Sequence, residues 1–198
     1  SACLASNADG DFLPLYIIFK GSAPVETEWR RKLPSVCHSS TESGYIDARS
    51  FEDYFENVFV PSTARTRPLL LIMDNLASHM TPAVIRKAVA NNIEILALPA
   101  HSSHILQPLD KVFNLLKHFM WEEGSKAQLV YGSMVQITKD KFPLLLNHGV
   151  QNHIKGSNMR AGWKASGCWP IDKSKVDKRY LAYSNGDSGN IINHSILS

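Results

Sequence analysis

Two aspartates stand where acidic side chains could do chemistry. Asp74 follows the unbroken apolar run 69–73, and Asp110 comes just after Pro108, at the start of a helical pattern. Two carboxylates that meet in a cleft repel each other, and a divalent cation such as Mg²⁺ relieves that repulsion by accepting their oxygens as ligands. Phosphoryl chemistry needs such ions, since two of them about 4 Å apart can stabilise both the attacking and the leaving oxygen. The pair of acids therefore favours a nuclease-type site.

The elements around Asp74 predict that it lies at the edge of a sheet. The run 69–73 shows no alternation, which is typical of a parallel strand buried on both faces. Thr81 and Pro82 supply an N-cap and a first helical residue for a helix that we expect to reach residue 91. A second apolar run, 93–98, completes a right-handed βαβ unit with parallel strands. Functional sites gather at the carboxyl ends of such strands, where Asp74 lies.

Asp110 is expected in the first turn of the next helix, beyond the loop that leaves the second strand. The buried stripe of this helix consists of Leu109, Val112, Phe113, Leu116, Phe119 and Met120. Asp110, Asn114 and Lys117 share the other face. An acid near a helix N-terminus also complements the helix dipole, so Asp110 alone has a structural explanation. The presence of two acids at one edge of the βαβ unit favours a functional explanation.

The remaining segments predict a mixed α/β chain. Residues 1–8 and 12–20 are apolar and flank N-A-D-G-D, which predicts a β-hairpin. Residues 21–43 are rich in Pro, Ser, Thr and charge and are expected to form a long surface excursion that holds Trp29. The aromatic residues of 50–60 recur at helical spacing, which is typical of core packing. A later short helix is expected to close at Gly167. Its neighbours Trp163, Trp169 and Ile171 would either anchor it to the core, which is the favoured role, or stack on bases.

Basic residues concentrate in the second half of the chain. Residues 1–110 hold 9 Lys and Arg against 12 Asp and Glu, and residues 111–198 hold 12 against 6, so the balances are −3 and +6. Binding to a phosphate backbone requires a basic face, although a solvated surface explains the same surplus. The candidate DNA contacts are Arg30, Arg31, Lys32, Lys117, Arg160 and Lys164, with Lys173 and Lys175 beyond them.

Other chemistries lack their motifs. The three cysteines are odd in number and far apart, which argues for reduced thiols and against a disulfide framework. No G-x-S-x-G elbow and no glycine-rich phosphate loop occur, so we expect neither a serine hydrolase nor a nucleotide cofactor. His101 and His104 have no zinc partners at a suitable spacing, and a haloacid-dehalogenase phosphatase would need an acid where Leu76 stands. No segment predicts a membrane span or a signal peptide, which favours an intracellular protein.

Two motifs resemble those of a known family. D-N-L-A-S-H begins at residue 74, after the first parallel strand, and L-P-A-H-S-S-H-I-L-Q-P-L-D ends at residue 110, after the second. They resemble the DDE superfamily endonuclease domain of mariner and pogo-type transposases, with Jerky, Tigger and centromere-protein-B-like proteins among its relatives. The resemblance covers nearly the whole chain, in order, including A-D-G-D-F-L-P-L-Y-I-I-F-K-G, S-G-Y-I-D and N-M-R-A-G-W-K-A-S-G-C-W-P-I. L-Q-P-L-D is its most specific part.

The resemblance implies an RNase H-like fold, a triad of acids that binds two Mg²⁺ or Mn²⁺ ions, and cleavage and joining of DNA strands in the nucleus. By position, Asp74 matches the second catalytic, metal-binding acid and Asp110 the third. Four further residues match motif positions near the site, namely Asn75, His79, His104 and Gln107. For the two histidines, hydrogen bonding within a loop explains the match as well as chemistry does. The sequence leaves open whether the domain forms a homodimer.

The first acid of the family has no counterpart in the chain. In the family it lies on an opening strand upstream of the hairpin, and Asp9 and Asp11 cannot replace it because both are turn residues. That strand is central in the family's sheet, so we expect an RNase H-like mixed sheet, flanked by helices, that lacks its first strand and exposes two edges. We expect this domain over residues 1–183 and a polar, disordered tail over 184–198.

Two functional hypotheses follow from the missing acid. The first is a transposase-derived DDE endonuclease domain, a truncated or decayed fragment without autonomous activity. The alternative is a domesticated, non-catalytic protein that uses the fold to bind DNA or to act as a chromatin scaffold. The retained acids Asp74 and Asp110 favour the first hypothesis.

Overall fold

The computed structural model describes residues 1–22, 28–131 and 137–176, so the predicted tail 184–198 lies outside the described residues. Its strands are β1 (Ala2–Cys3), β2 (Tyr16–Lys20), β3 (Cys37–Thr41), β4 (Leu69–Met73) and β5 (Ile93–Ala97). Its α-helices are α1 (Glu28–Lys32), α2 (Ala48–Tyr54), α3 (Val60–Ser62), α4 (Pro82–Ala90), α5 (Ser103–Leu106), α6 (Asp110–Tyr131), α7 (Phe142–His153) and α8 (Gly156–Ser166). A π-helical turn (Phe55–Phe59) joins α2 to α3, and 3₁₀ turns cover Ala77–His79 and Lys173–Lys175. The architecture is mixed α/β.

The first sheet is built around β2. β1 runs antiparallel to β2, with Ala2 opposite Ile17, and a bridge between Ser6 and Phe12 carries the pairing towards the turn. The predicted hairpin is therefore confirmed. Its turn requires Gly10, whose φ of +100° lies in a region that side chains rarely adopt.

The segment expected to be a surface excursion completes this sheet instead. β3 pairs with β2 in parallel, with Tyr16 opposite Cys37 and Lys20 opposite Thr41. α1 precedes β3 and buries Trp29, which is only 1% exposed. The prediction was wrong because the sequence of β3, C-H-S-S-T, is polar. Its extended conformation depends on the hydrogen bonds that β2 supplies, which its own side chains do not reveal.

The second sheet confirms the predicted βαβ unit. β4 and β5 pair in parallel along residues 69–73 and 93–97, and α4 connects them. Thr81 caps α4 as predicted, because its hydroxyl accepts a hydrogen bond from the Val84 amide at 3.3 Å, and Pro82 begins the helix. Among the described strands, β1 pairs only with β2 and β4 only with β5, so each has one unpaired edge.

β4 is buried on one face only, contrary to the expectation from its unbroken apolar run. Leu70 is 56% exposed, and Leu96 on β5 is 49% exposed. Leu69, Leu71 and Met73 face the opposite side and join a core. Burial of the other face would need a covering element, but α6, α7 and α8 pack on the first sheet instead. An apolar run shows that a strand can be buried. Which of its faces is buried depends on where the helices pack.

β2 separates two cores because alternate residues of a strand face opposite sides. Tyr16 and Ile18 face the first core, which the aromatic residues of 50–60 dominate, so that predicted stripe is confirmed. The first core contains Tyr16, Ile18, Phe51, Tyr54, Phe55, Val58, Phe59, Val60, Met73, Val84, Ala88 and Ile93. The second contains Leu15, Ile17, Phe19, Trp29, Val36, Val112, Leu146, Val150, Ile154 and Met159.

The last three helices complete the second core. Val112 and Phe119 of α6 are buried, as the predicted stripe requires. α8 ends at Gly167, also as predicted. Of the expected anchors beyond it, Trp163 packs on the core, but Trp169 and Ile171 are 58% and 79% exposed. That prediction was wrong because a tight turn after Gly167, closed by a bridge between Cys168 and Ile171, displays both side chains on the surface. In the described part of the chain, no helix has the length and apolar character to cross a membrane.

Candidate functional site

Asp74 is the first residue after β4 and lies at the carboxyl edge of the second sheet. Its Oδ1 lies 2.8 Å from Nδ1 of His79. His79 is the last residue of the 3₁₀ turn Ala77–His79, so the contact is made within the short segment that follows β4. The hydrogen bond from His79 holds the pKa of the Asp74 carboxyl below its usual value, and a hydrogen bond from the Leu76 amide acts in the same direction, while partial burial opposes both.

His79 is packed rather than solvated. Its side chain is 13% exposed, and its ring stacks on Phe51 with centroids 4.1 Å apart and planes inclined by 25°. Nε2, the ring nitrogen remote from Asp74, is buried and has no hydrogen-bond partner among the residues that the structure describes. The ring therefore makes one polar contact through Nδ1, and Phe51 connects it to the first core.

Asp110 begins α6, as predicted, and α8 supports the backbone before it. The Asp110 amide donates to the Gln107 carbonyl at 3.2 Å. A Cβ on Gly162 would lie 2.7 Å from the Pro108 carbonyl oxygen, so only glycine allows α8 to pack this closely against the loop. Cys168 follows Gly167, the residue that ends α8. Its thiol donates a hydrogen bond to the Leu106 carbonyl at 3.1 Å and so holds the residue just before this loop.

The two aspartates influence each other electrostatically. Burial, followed by the negative charge of Asp74, raises the pKa of Asp110 above its usual value, while nearby Lys117, His104 and Lys111 act in the opposite direction. Met73 pairs with Ala97, so Asp74 follows β4 at the sheet edge where the β5–α6 loop that leads to Asp110 begins. Within the described residues, no group of three or more His, Cys, Asp or Glu side chains is arranged to hold a metal ion.

The other motif residues have different surroundings. Asn75 is exposed and Gln107 is half-buried at the end of α5. His104 is exposed, and its carbonyl accepts a hydrogen bond from Nζ of Lys111 at 2.8 Å. Two residues near Asp74 were missed by the sequence analysis. Phe51 was assigned to the core alone, and Cys3 was regarded only as a thiol, although burial raises its pKa to about 12 and the charge of Asp74 adds to the effect.

The candidate DNA contacts also differ in their availability. An Arg30 Nη lies 2.7 Å from His38 Nε2, and its guanidinium lies 5.5 Å from the centroid of Trp29, so Arg30 is part of the packing around α1. Arg160 is exposed but donates to the Asp9 carbonyl at 2.6 Å. The remaining candidates are exposed, namely Arg31, Lys32, Lys117, Lys164, Lys173 and Lys175.

Comparison with protein families matches residues 1–144 to the DDE superfamily endonuclease family. Because this match covers well over half of the 198 residues, the chain belongs to that family, and the resemblance inferred from the two aspartate motifs is confirmed. The chain is thus a transposase-derived domain, and endonucleases of its family generally use divalent metal ions.

Two curated proteins are similar to this chain. The MFS-type transporter clz9 of Cochliobolus lunatus is 26% identical over 187 residues, which cover 89% of this chain and 20% of that protein. The pogo transposable element with ZNF domain of Homo sapiens is 29% identical over 129 residues, which cover 62% of this chain and 9% of that protein. The chain therefore spans a fifth or less of the length of either relative. No solved structure matches the chain.

Proposed function

We propose that the chain is a nuclear, DNA-binding domain of RNase H-like ancestry in which Asp74 and Asp110 bind a divalent cation, Mg²⁺ or Mn²⁺. The single observation that carries the proposal is the position of the two acids, because Asp74 directly follows β4 and Asp110 begins α6, at the end of the loop that leaves the paired strand β5. Burial and the charge of Asp74 both raise the pKa of Asp110, which supports this placement. The proposed chemistry is that of a metal-dependent endonuclease, in line with the DDE superfamily endonuclease family to which the chain belongs.

The donor atoms fit a hard divalent ion. Both side chains offer carboxylate oxygens, and Mg²⁺ is commonly bound by one or two carboxylates while water fills its remaining positions. A cation would also offset the repulsion that destabilises ionised Asp110 beside Asp74. When bound, such an ion would neutralise charge on a scissile phosphodiester. The exposed basic residues, Lys117 beside Asp110 among them, would attract the DNA backbone.

We further propose that residues 1–198 do not cleave DNA by themselves. The family's reaction uses three acids, whereas the site in the described residues is built on two carboxylates, Asp74 and Asp110. A Mg²⁺-dependent nicking assay on the purified chain should therefore show no turnover. Turnover that disappears in Asp74→Ala would overturn this part of the proposal.

The cation is tested by thermal unfolding with increasing Mg²⁺ or Mn²⁺. A ligand at 100 times its Kd stabilises the folded state by about 2.7 kcal/mol, which corresponds to about 5–10 °C in a domain of this size. Asp74→Asn and Asp110→Asn should each abolish most of this shift. The matched control is Asp140→Asn, which removes the charge of an exposed aspartate elsewhere and should leave the shift intact. An unchanged shift in both site variants would refute the cation proposal.

DNA binding is tested through its dependence on salt. Each phosphate contact contributes about 0.9 to the slope of log K against log salt concentration, so Lys117→Gln should reduce the slope by about 1. Lys87→Gln is the control, because an ion pair with Glu56 already neutralises Lys87. DNA binding that persists in a chain without any cation response would support the non-catalytic scaffold instead.

A further inference from the structure

We propose that His79 is a positioning residue that fixes the carboxylate of Asp74 through Nδ1 and thereby sets the affinity of the site for its cation. The inference rests on the proposed function and assigns to His79 a role that it performs through Asp74. Its basis is the combination of one hydrogen bond, one ring stack and one unpartnered nitrogen.

The contact with Asp74 is held from both ends. On the aspartate side, the carboxylate directly follows β4, whose pairing with β5 fixes the backbone up to Met73. On the histidine side, the stack on Phe51 fixes the plane of the imidazole, and Phe51 itself is 5% exposed in the first core. Rotation of the Asp74 carboxylate would therefore break a hydrogen bond to a ring that is not free to follow it.

The unpartnered nitrogen shows that packing alone does not explain this histidine. Within the described part of the chain, Nε2 is buried without a hydrogen-bond partner, and a buried polar atom without a partner destabilises a fold. An apolar ring would fill the space against Phe51 without that cost. The feature that an apolar ring could not provide is the hydrogen bond from Nδ1 to Asp74. The second motif histidine, His104, is exposed on α5, whereas His79 is packed against Phe51.

Two amide substitutions separate positioning from packing. In His79→Asn the side-chain amide can take the place of Nδ1, whereas in His79→Gln it falls near the place of Nε2, away from Asp74. Both variants lose the ring that stacks on Phe51 and should lose similar stability. A purely structural role for His79 therefore predicts that the two variants bind the cation equally well.

The experiment measures Mn²⁺ binding to the full chain by the loss of the electron paramagnetic resonance signal of free Mn²⁺. We expect His79→Asn to bind within about threefold of the unaltered chain, and His79→Gln and His79→Ala to bind 10–100-fold more weakly, the usual effect of removing a partner of a metal ligand. Thermal unfolding without metal, measured on every variant, confirms that each is folded.

Three outcomes contradict the proposal in distinguishable ways. Equal weakening in His79→Asn and His79→Gln would assign the residue to packing. Unchanged affinity in all His79 variants, with affinity lost in Asp74→Asn, would remove the positioning role and leave the proposed cation site standing. Mn²⁺ binding that survives Asp74→Asn would overturn the cation site and the positioning role together.

Discussion

Asp74 and Asp110 have the same side chain, yet their surroundings shift their pKa values in opposite directions. Asp74 accepts a hydrogen bond from His79, which favours its ionised form. Asp110 is half-buried and faces the charge of Asp74, with no comparable hydrogen bond to offset them, so its ionised form is disfavoured. Asp74 is thus the carboxylate that stays charged most readily, and Asp110 is the one that benefits most from a cation.

The raised pKa of Asp110 predicts that Asp110→Asn stabilises the metal-free chain at neutral pH. At Asp110 the folded state holds the proton more tightly than the unfolded state, so stability falls as the pH rises from the ordinary pKa of 3.8 to the raised, folded pKa, and the full penalty remains above it. Below the ordinary pKa of 3.8, both states are protonated and the penalty is absent. We expect a rise of about 1–3 °C at pH 7, where 1 kcal/mol corresponds to about 2–4 °C, and no rise near pH 3. Thermal unfolding at the two pH values measures it, and a lower melting temperature at pH 7 would contradict it.

A substitution at Gly10 should disturb the contact between the hairpin turn and α8 and lower the stability of the chain. A Cβ at Gly10 would lie 2.5 Å from the carbonyl oxygen of Gly156, and its φ is +100°. Gly21 is a matched control, since its φ is +71° but nothing lies within 4 Å of a Cβ there. Gly21→Ala should cost about 1–2 kcal/mol for its backbone conformation, and Gly10→Ala about 1–3 kcal/mol more for the overlap. Urea unfolding gives both values, and equal costs would show that the turn does not pack on α8.

For single residues, the sequence predicted where a side chain lies along a strand or helix better than it predicted which other side chains surround it. The location of Asp74 after a strand and of Asp110 in the first turn of a helix followed from apolar periodicity and Pro108, which are local features. The stack of His79 on Phe51 joins residues 28 positions apart and depends on tertiary packing. The position of Arg30 against Trp29 and His38 likewise depends on β3, whose polar sequence gave no indication of a strand.

Among the helices, α2 carries both an aromatic core face and a capping box at its first turn. Asp47 Oδ1 accepts the Ser50 amide at 2.8 Å, and the Ser50 hydroxyl accepts the Asp47 amide at 2.9 Å. The Ser50 hydroxyl also donates to Asp47 Oδ1 at 2.7 Å, and this hydrogen bond, followed by the one from the Ser50 amide, holds the pKa of Asp47 below its usual value. The stability that ionised Asp47 contributes is therefore present above the ordinary pKa of 3.8 and is lost as the pH falls through the lower, folded value.

Asp47→Ala should therefore destabilise the chain by about 1 kcal/mol, the usual cost of removing an N-cap. Asp47→Asn is the control, because its amide oxygen can still accept the Ser50 amide and it should retain most of the stability. Urea unfolding of the three chains at pH 7 tests the cap. A full loss in Asp47→Asn would mean that charge, rather than the hydrogen bond, stabilises the first turn of α2.

Strands and helices differed in how far local sequence predicted them. The helix 82–90 has its cap, its proline and its apolar spacing within the same short segment, and it formed as expected. β4 has an apolar sequence that correctly predicted a strand, but which of its faces is buried depended on where α6, α7 and α8 pack. β3 required a partner strand to exist at all. The elements that were predicted incorrectly are those whose conformation or burial depends on distant segments.

For the molecule as a whole, the uneven burial of the two sheets predicts that substitutions in them lower the stability by different amounts. Ile17 is fully buried at the centre of the first sheet, whereas Leu70 is 56% exposed on the uncovered face of the second. Ile17→Ala should cost about 2–5 kcal/mol and Leu70→Ala less than about 1 kcal/mol. Urea unfolding compares the two variants. A large cost at Leu70 would mean that another part of the chain covers this face in solution.

Phe51 belongs both to the first core and to the stack that holds His79 beside Asp74. Cation binding at Asp74 and the packing of α2 are therefore coupled by thermodynamic linkage. A bound cation stabilises the packing of α2, and tighter packing of α2 raises the affinity for the cation. A cation bound at Asp74 would then slow amide hydrogen exchange in residues 48–54. A substitution that creates a cavity in the first core would weaken cation binding although both acids are unchanged.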